Sequence, residues 1–248
     1  MKKSFFLCTF VVMLFITLVG CSKDEEDVMS ITSSKNVELT SKGTSQITCS
    51  DSKASYLSED EYVATVSDKG LITAKRIGET YIDVNSQKAV KVTVKPLVTS
   101  FVEPQFLFGA TKNEVISKVG SNYSNSTSTG IAYTPSSGKV KGYVYLLKDG
   151  KVSAVGMVVS TLYMETLTDF LLERYMPATF SEENYTALFV NGISLEKTTM
   201  LIGEQLYSVS LMNVVYMPYD KNTSKSRSIE QKQDFINQTN ELLKTVLK

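Results

Sequence analysis

Tyr62-Val63-Ala64-Thr65-Val66, then Ser67-Asp68-Lys69-Gly70, then Leu71-Ile72-Thr73-Ala74 is the stretch that decides the fold of the first half of this chain. Two runs rich in β-branched residues flank a polar tetrad that ends in glycine. Gly70 supplies the positive φ that a tight hairpin turn needs. The reading is therefore two short antiparallel strands joined by a turn.

The same pattern extends outward in both directions. Upstream, Val37 and Leu39 alternate with polar neighbours, as do Ile47 and Cys49, with Gly43-Thr44 as the turn between them. Downstream, Gly78 marks a break, Ile82 and Val84 alternate, and Val90, Val92 and Val94 alternate through a last strand. Alternation of this kind places one face of each strand on a core. Pro96 then ends the pairing, because proline has no N–H to give to a ladder. Short strands at regular spacing between turn signals predict a β-sandwich over residues 28–96.

These residues also carry a family resemblance. Val63 to Ser67, Gly70 to Ala74 and Gly78-Glu79-Thr80-Tyr81-Ile82-Asp83-Val84 resemble the bacterial Ig-like domain, group 2, over roughly residues 30–95. Ser58 and Asp60 fall where that family has them. Tyr56 departs from it, since the family commonly has tryptophan there. A tyrosine fills the slot with less surface and brings a hydroxyl that needs a partner. The resemblance implies a spacer or presenting role of the kind these domains have in bacterial surface proteins and adhesins.

The N-terminus reads as an address. Lys2 and Lys3 precede a nearly unbroken apolar run from Phe5 to Val19, and Gly20 and Cys21 end it. This is the layout of a secretory signal peptide, and the run is shorter than the ~20 residues of a spanning helix. Leu18-Val19-Gly20-Cys21 resembles a bacterial lipobox, which implies a signal peptide over residues 1–20 and lipidation of Cys21. Residues 21–27 then form an acidic tether. Ser22 follows the cysteine, and Ser22-Lys23-Asp24-Glu25 resembles a surface-export signal of Gram-negative lipoproteins. The expected location is the outer membrane, lipid-anchored, facing either the cell surface or the periplasm. Several acyl chains hold firmly because each buried methylene contributes about 0.8 kcal/mol.

Composition narrows the function. Without residues 1–20 the chain carries a net charge of −2, which argues against a nucleic-acid partner. Three cysteines are present, and beyond the anchor Cys49 is the single thiol, so no disulfide framework exists within one chain. The absence of histidine excludes a His-based triad and a His-ligated zinc site.

After Pro96 the pattern changes, and residues 97–248 are expected to form an α+β domain of unknown function. Thr111-Lys112-Asn113-Glu114 is a capping box that opens a short helix, and Gly120 stops it. Ser121 to Thr129 reads as a loop. Tyr143, Tyr145 and Leu147 alternate, Asp149-Gly150 is a hairpin signal, and Val152 to Val159 returns. Leu167, Phe170, Leu171 and Arg174 at helical spacing predict a helix over Leu162 to Tyr175, ended by Pro177. Strands are expected near Ala187–Val190, Thr198–Ile202 and Tyr207–Tyr216. A last helix opens at Ser228 and buries Phe235, Ile236, Leu242, Leu243, Val246 and Leu247. The run from Glu103 to Thr111, with Phe170 to Tyr175 later, resembles uncharacterised second domains of Gram-negative surface lipoproteins and implies no activity.

The candidates for chemistry are thin. Ser136-Ser137-Gly138-Lys139 has serine–lysine spacing but sits in a Pro-Ser-Ser-Gly turn, and Ser67-Asp68-Lys69 belongs to the hairpin. Asp169 and Glu173 share a helix face, with Glu182-Glu183 in a loop beyond. Paired carboxylates hydrolyse glycosides at about 5 Å or 6.5–9.5 Å separation. Glu59, Asp60 and Glu61 are too few oxygens for calcium on their own. Cys49 alternates with Ile47 and is expected to point at the core. Ten of the thirteen tyrosines lie beyond Pro96, most of them expected in the core or in strand pairs. The expectation is a non-catalytic surface or envelope lipoprotein with no cofactor and no metal, contacting a protein or glycan. The alternatives are a carboxylate-dependent hydrolase in the second domain, or a purely structural envelope component. Cys21→Ser is expected to leave the protein unlipidated and move it from the membrane to the soluble fraction. Fatty-acid labelling and fractionation check this, and continued labelling of the mutant would refute it.

Overall fold

The computed structural model describes residues 30–136, 138–182 and 185–220. The expected signal peptide, Cys21 and its tether, Ser137, Glu183 and the expected last helix lie outside the described residues.

The first half is the expected sandwich. One sheet holds β1 (Asn36–Thr40), β3 (Tyr56–Ser58), β6 (Gly78–Val84) and β7 (Gln87–Lys95), in the order β1-β7-β6-β3. β1 runs parallel to β7, and the other pairs are antiparallel. The second sheet holds β2 (Thr44–Gln46), β4 (Ala64–Val66) and β5 (Leu71–Ala74), in the order β2-β5-β4. The alternating positions meet between the sheets. Ile47, Ile72, Ile82, Val84, Val90 and Val92 are all buried in one cluster.

The hairpin between β4 and β5 forms through its turn residues. Gly70 N–H donates to the Ser67 carbonyl at 2.8 Å, and Ser67 N–H donates to the Leu71 carbonyl at 3.0 Å. Gly70 has φ +77°, and a Cβ there would meet Tyr56 Cζ at 2.9 Å and the Ile47 carbonyl oxygen at 3.1 Å. The glycine is thus required both by the turn and by the Tyr56 ring lying on it. The Tyr56 hydroxyl finds its partner in Cys49 Sγ at 3.4 Å.

Cys49 packs against the core as expected, but only from its margin. It is half-buried, not buried, and lies in an isolated bridge with Ile31 and not within a strand. Its Sγ donates to the Asp51 carbonyl at 3.2 Å. It packs against the core cluster without being enclosed by it, alongside Ile31 and Tyr56.

The second half is mostly β, which corrects the α+β expectation. Its one sheet has eight antiparallel strands in the order β12-β13-β14-β15-β11-β10-β9-β8. They are β8 (Asn125–Ser126), β9 (Gly130–Tyr133), β10 (Val140–Lys148), β11 (Lys151–Ser160), β12 (Met176–Ser181), β13 (Thr186–Val190), β14 (Met200–Ser208) and β15 (Leu211–Pro218). Two helices are described, α1 (Lys112–Val119) and α2 (Met164–Leu172). Both pack on the same sheet face. Val115 of α1 sits on Ile131, Tyr145 and Val155, and Leu167, Phe170 and Leu171 of α2 sit on Met157, Ile202, Val214 and Tyr216. No helix among the described residues is long and apolar enough to cross a membrane.

Several local readings survive in detail. The capping box forms, with Glu114 N–H donating to Thr111 Oγ1 at 3.4 Å and Thr111 N–H donating to Glu114 Oε2 at 2.7 Å. The Thr111 N–H and the Thr111 hydroxyl, both on Glu114 Oε2, hold the Glu114 carboxyl below its ordinary range. Asp149 and Gly150 both have positive φ, +52° and +73°, as a tight hairpin with right-handed strands requires.

Two boundaries differ. The helix expected to run to Tyr175 ends at Leu172, and Pro177 lies inside β12, not at a helix terminus. β12 is an edge strand, the place in a sheet where a missing N–H costs least. Tyr207 and Ser208 complete β14 and do not begin the last strand, which starts at Leu211. Gly70→Ala is expected to lower the stability of the first sandwich by about 1–3 kcal/mol, because alanine must hold a left-handed φ and push the Tyr56 ring aside. Chemical denaturation checks this.

Candidate functional site

The C-terminal end of α2 is where the two halves meet. A helix leaves its last carbonyls without intrahelical partners. Here the first sandwich supplies them. Ile77 N–H donates to the Glu173 carbonyl at 2.8 Å, and the Tyr62 hydroxyl donates to the Arg174 carbonyl at 2.6 Å. Burial pushes the Tyr62 hydroxyl up to about 12, so it remains a donor at neutral pH. The Arg76 guanidinium lies over the Tyr62 ring at 4.7 Å.

Glu173 ties the linker to the same point. It is 5% exposed, and its Oε1 and Oε2 accept the backbone N–H groups of Leu97 and Val98 at 3.0 and 3.1 Å. Arg174 Nη1 stands 3.7 Å from Glu173 Oε2, and Arg174 Nε stands 3.7 Å from Glu103 Oε2. Glu173, a candidate acid by sequence, is therefore committed to backbone donors and a cation. Asp169 does lie one turn away on the same face. Both line a cleft of about 530 Å³ between the sandwich and α2.

A second cleft, of about 590 Å³, lies where α2 crosses β12 to β15. Its deepest polar group is Glu204, 4% exposed. Strand register explains the position. Phe180, Ala187, Glu204, Val214, Met157 and Tyr143 form one row across the sheet. Glu204 thus takes a core position on the helix-covered face. The Thr168 hydroxyl lies 3.3 and 3.4 Å from its two carboxylate oxygens. Burial pushes the Glu204 carboxyl up to about 7, with the Thr168 hydroxyl acting weakly in the opposite direction. Phe180 (62% exposed) and Tyr185 (56% exposed) stand at the mouth, with Glu165 and Asp169 on the helix wall.

Glu204 escaped the sequence reading. Its only signal was an acid in phase with Ile202 and Leu206, at a position where alternation calls for an apolar residue. Glu182 is exposed and lies in the turn after β12, and its partner Glu183 is outside the described residues. Glu59 pairs with Lys88 at 2.8 Å, and Asp60 Oδ1 accepts Tyr62 N–H at 2.9 Å. Among the described residues no group of three or more Cys, Asp or Glu is placed to hold a metal ion. Lys139 lies beside the rings of Phe101 and Tyr163, 5.6 and 4.7 Å from their centroids. It precedes β10, not a helix, which is the wrong setting for a serine–lysine pair.

The profile of the bacterial Ig-like domain, group 2, matches residues 26–95. The first sandwich is an Ig-like domain of that group. No curated protein matches the chain. The match ends at Lys95, where β7 ends and the linker toward α1 begins.

The Glu204 environment has a thermodynamic consequence. A carboxyl raised in the fold makes the native state bind a proton that the unfolded chain has lost, so stability falls as pH rises from about 4.5 to about 7. The size is on the order of 3 kcal/mol. Glu204→Gln is expected to flatten this part of the stability–pH curve, which denaturation at a series of pH values checks.

Proposed function

We propose that the protein is a non-catalytic, lipid-anchored surface or envelope protein that works by contact. Cys21 carries the anchor, the Ig-like domain acts as a presenting module, and the second half meets a protein or glycan. The observation that carries this reading is the junction at Glu173 and Tyr62. A presenting domain is useful only if its load is held in a defined orientation, and here the two halves share hydrogen bonds at the end of α2. The Ig-like match supports a surface or adhesion role.

The contact site in this reading is the Glu204 cleft. It combines exposed Phe180 and Tyr185 with a few polar groups, the composition of a recognition site. A glycan suits it, with ring faces on the aromatic side chains and hydroxyls donating to Glu165, Asp169 and Glu204.

One observation favours a second reading. A carboxyl pushed up to about 7 in an apolar setting is what a general acid requires. With Asp169 or Glu165 as the second carboxylate, the cleft would serve a glycosidase. The mature chain screened against a glycan array and a panel of glycoside substrates separates the two. Binding without turnover, lost in Tyr185→Ala, is the expected outcome. Turnover abolished by Glu204→Gln overturns the contact reading.

A further inference from the structure

The cleft at the domain junction has a charge imbalance that the fold does not resolve. Its Ig-like wall carries Lys42, Lys75 and Arg76. None of the three is in an ion pair with a described residue. Arg76 is the most confined of them. Its guanidinium lies on the Tyr62 ring, and its Nε is buried without a hydrogen-bond partner among the described residues. A buried donor left unsatisfied costs more than a paired one, and a charged donor most of all.

The opposite wall does not answer these charges. The Glu173 carboxylate is already occupied by Leu97 N–H, Val98 N–H and Arg174. Asp169 remains as the uncommitted acid on that wall. Three cations thus face one free carboxylate. The remaining surface is apolar, formed by Leu97, Val98, Leu172 and Pro177. Lysine stems reach across such surface while the ammonium stays wet, and an arginine fork matches carboxylate and phosphate oxygens.

We propose that this cleft binds an amphiphilic anion, a carboxylate or phosphate carried on an apolar body, with Lys42, Lys75 and Arg76 around the charged head. The apolar body lies against Leu97, Val98, Leu172 and Pro177. The site needs both halves of the chain, so its occupant clamps the Ig-like domain to α2. This site shares Asp169 with the Glu204 cleft, but its three cations and its apolar wall belong to it alone. The anion has two sources, a free amphiphile or the headgroup of a membrane lipid.

Calorimetry on the full mature chain carrying Cys21→Ser tests this with octyl phosphate and octanoate below their micellar concentrations. Octanol and octylamine are the neutral and cationic controls. The expected result is binding of an anion, weakened by added salt, raising the unfolding temperature, with neither control binding comparably. Lys42 and Lys75 are exposed, so Lys42→Gln with Lys75→Gln leaves the fold intact and is expected to weaken binding at least tenfold. Arg76→Gln is expected to weaken it further, and the lysine pair keeps the test decisive if Arg76→Gln loosens the junction. A vesicle arm compares phosphatidylglycerol with phosphatidylcholine. Lysine-dependent binding to the anionic vesicles alone assigns the lipid source, and binding to the monomers alone assigns a free amphiphile. Failure of both, equal binding of octanol, or unchanged affinity in the lysine pair overturns the proposal.

Discussion

The buried carboxylate of Glu173 is the constraint on which the rest of the structure depends. It sits at the end of α2, takes two backbone N–H groups of the linker, and stands beside Arg174. Removing it would leave Leu97 and Val98 N–H without their acceptor. The same helix end gives its free carbonyls to Ile77 and Tyr62 of the Ig-like domain. A helix terminus, a linker and a second domain thus satisfy one another's backbone groups. Each contact is ordinary in strength, but all converge on two consecutive residues, Glu173 and Arg174.

This convergence also determines where ligands can be met. α2 forms one wall of both clefts, and Asp169 lines each of them. On the sheet side the cleft is acidic and aromatic, with Glu204 at its base. On the Ig side it is basic and apolar, with Arg76 behind it. The opposite chemistry of the two follows from what faces the helix. The sheet offers a row of core positions with one carboxylate in it, while the Ig-like domain offers the ends of β5 and its following turn. An acid at a core position costs desolvation, and the Glu204 carboxyl answers by holding its proton to about 7.

The balance of aromatic residues follows the same logic. Tyr133, Tyr145, Tyr175 and Tyr216 are buried, and Tyr133 packs edge-on against Tyr145 with ring centroids 6.0 Å apart. Tyr175 donates to Glu103 Oε1 at 2.7 Å, so its hydroxyl is satisfied inside the core. Tyr185 and Phe180 are outside because they belong to the edge hairpin of β12 and β13, at the mouth of the cleft that α2 walls. An edge position, and not residue type, makes an aromatic side chain available for contact.

Local chemistry was legible in the sequence wherever neighbouring residues settle it. The Ser67–Gly70 turn, the Thr111–Glu114 capping box, the Asp149-Gly150 hairpin and the alternating valines of β7 all depend on side chains a few positions apart. The β-sandwich of the first half followed from the spacing of its strands and turns, and its Ig-like kinship from a family resemblance. What the sequence could not settle depends on partners far along the chain. The end of α2 was set by Tyr62 and Ile77, about a hundred residues upstream, which captured its carbonyls before the helical pattern ran out. Pro177 entered a strand because β12 lies at a sheet edge, a fact of strand order alone. Glu204 became the deepest polar group of a cleft because five other strands aligned beside its own. Spacing within an element is written in the sequence, whereas burial and charge balance arise only when distant elements share a surface.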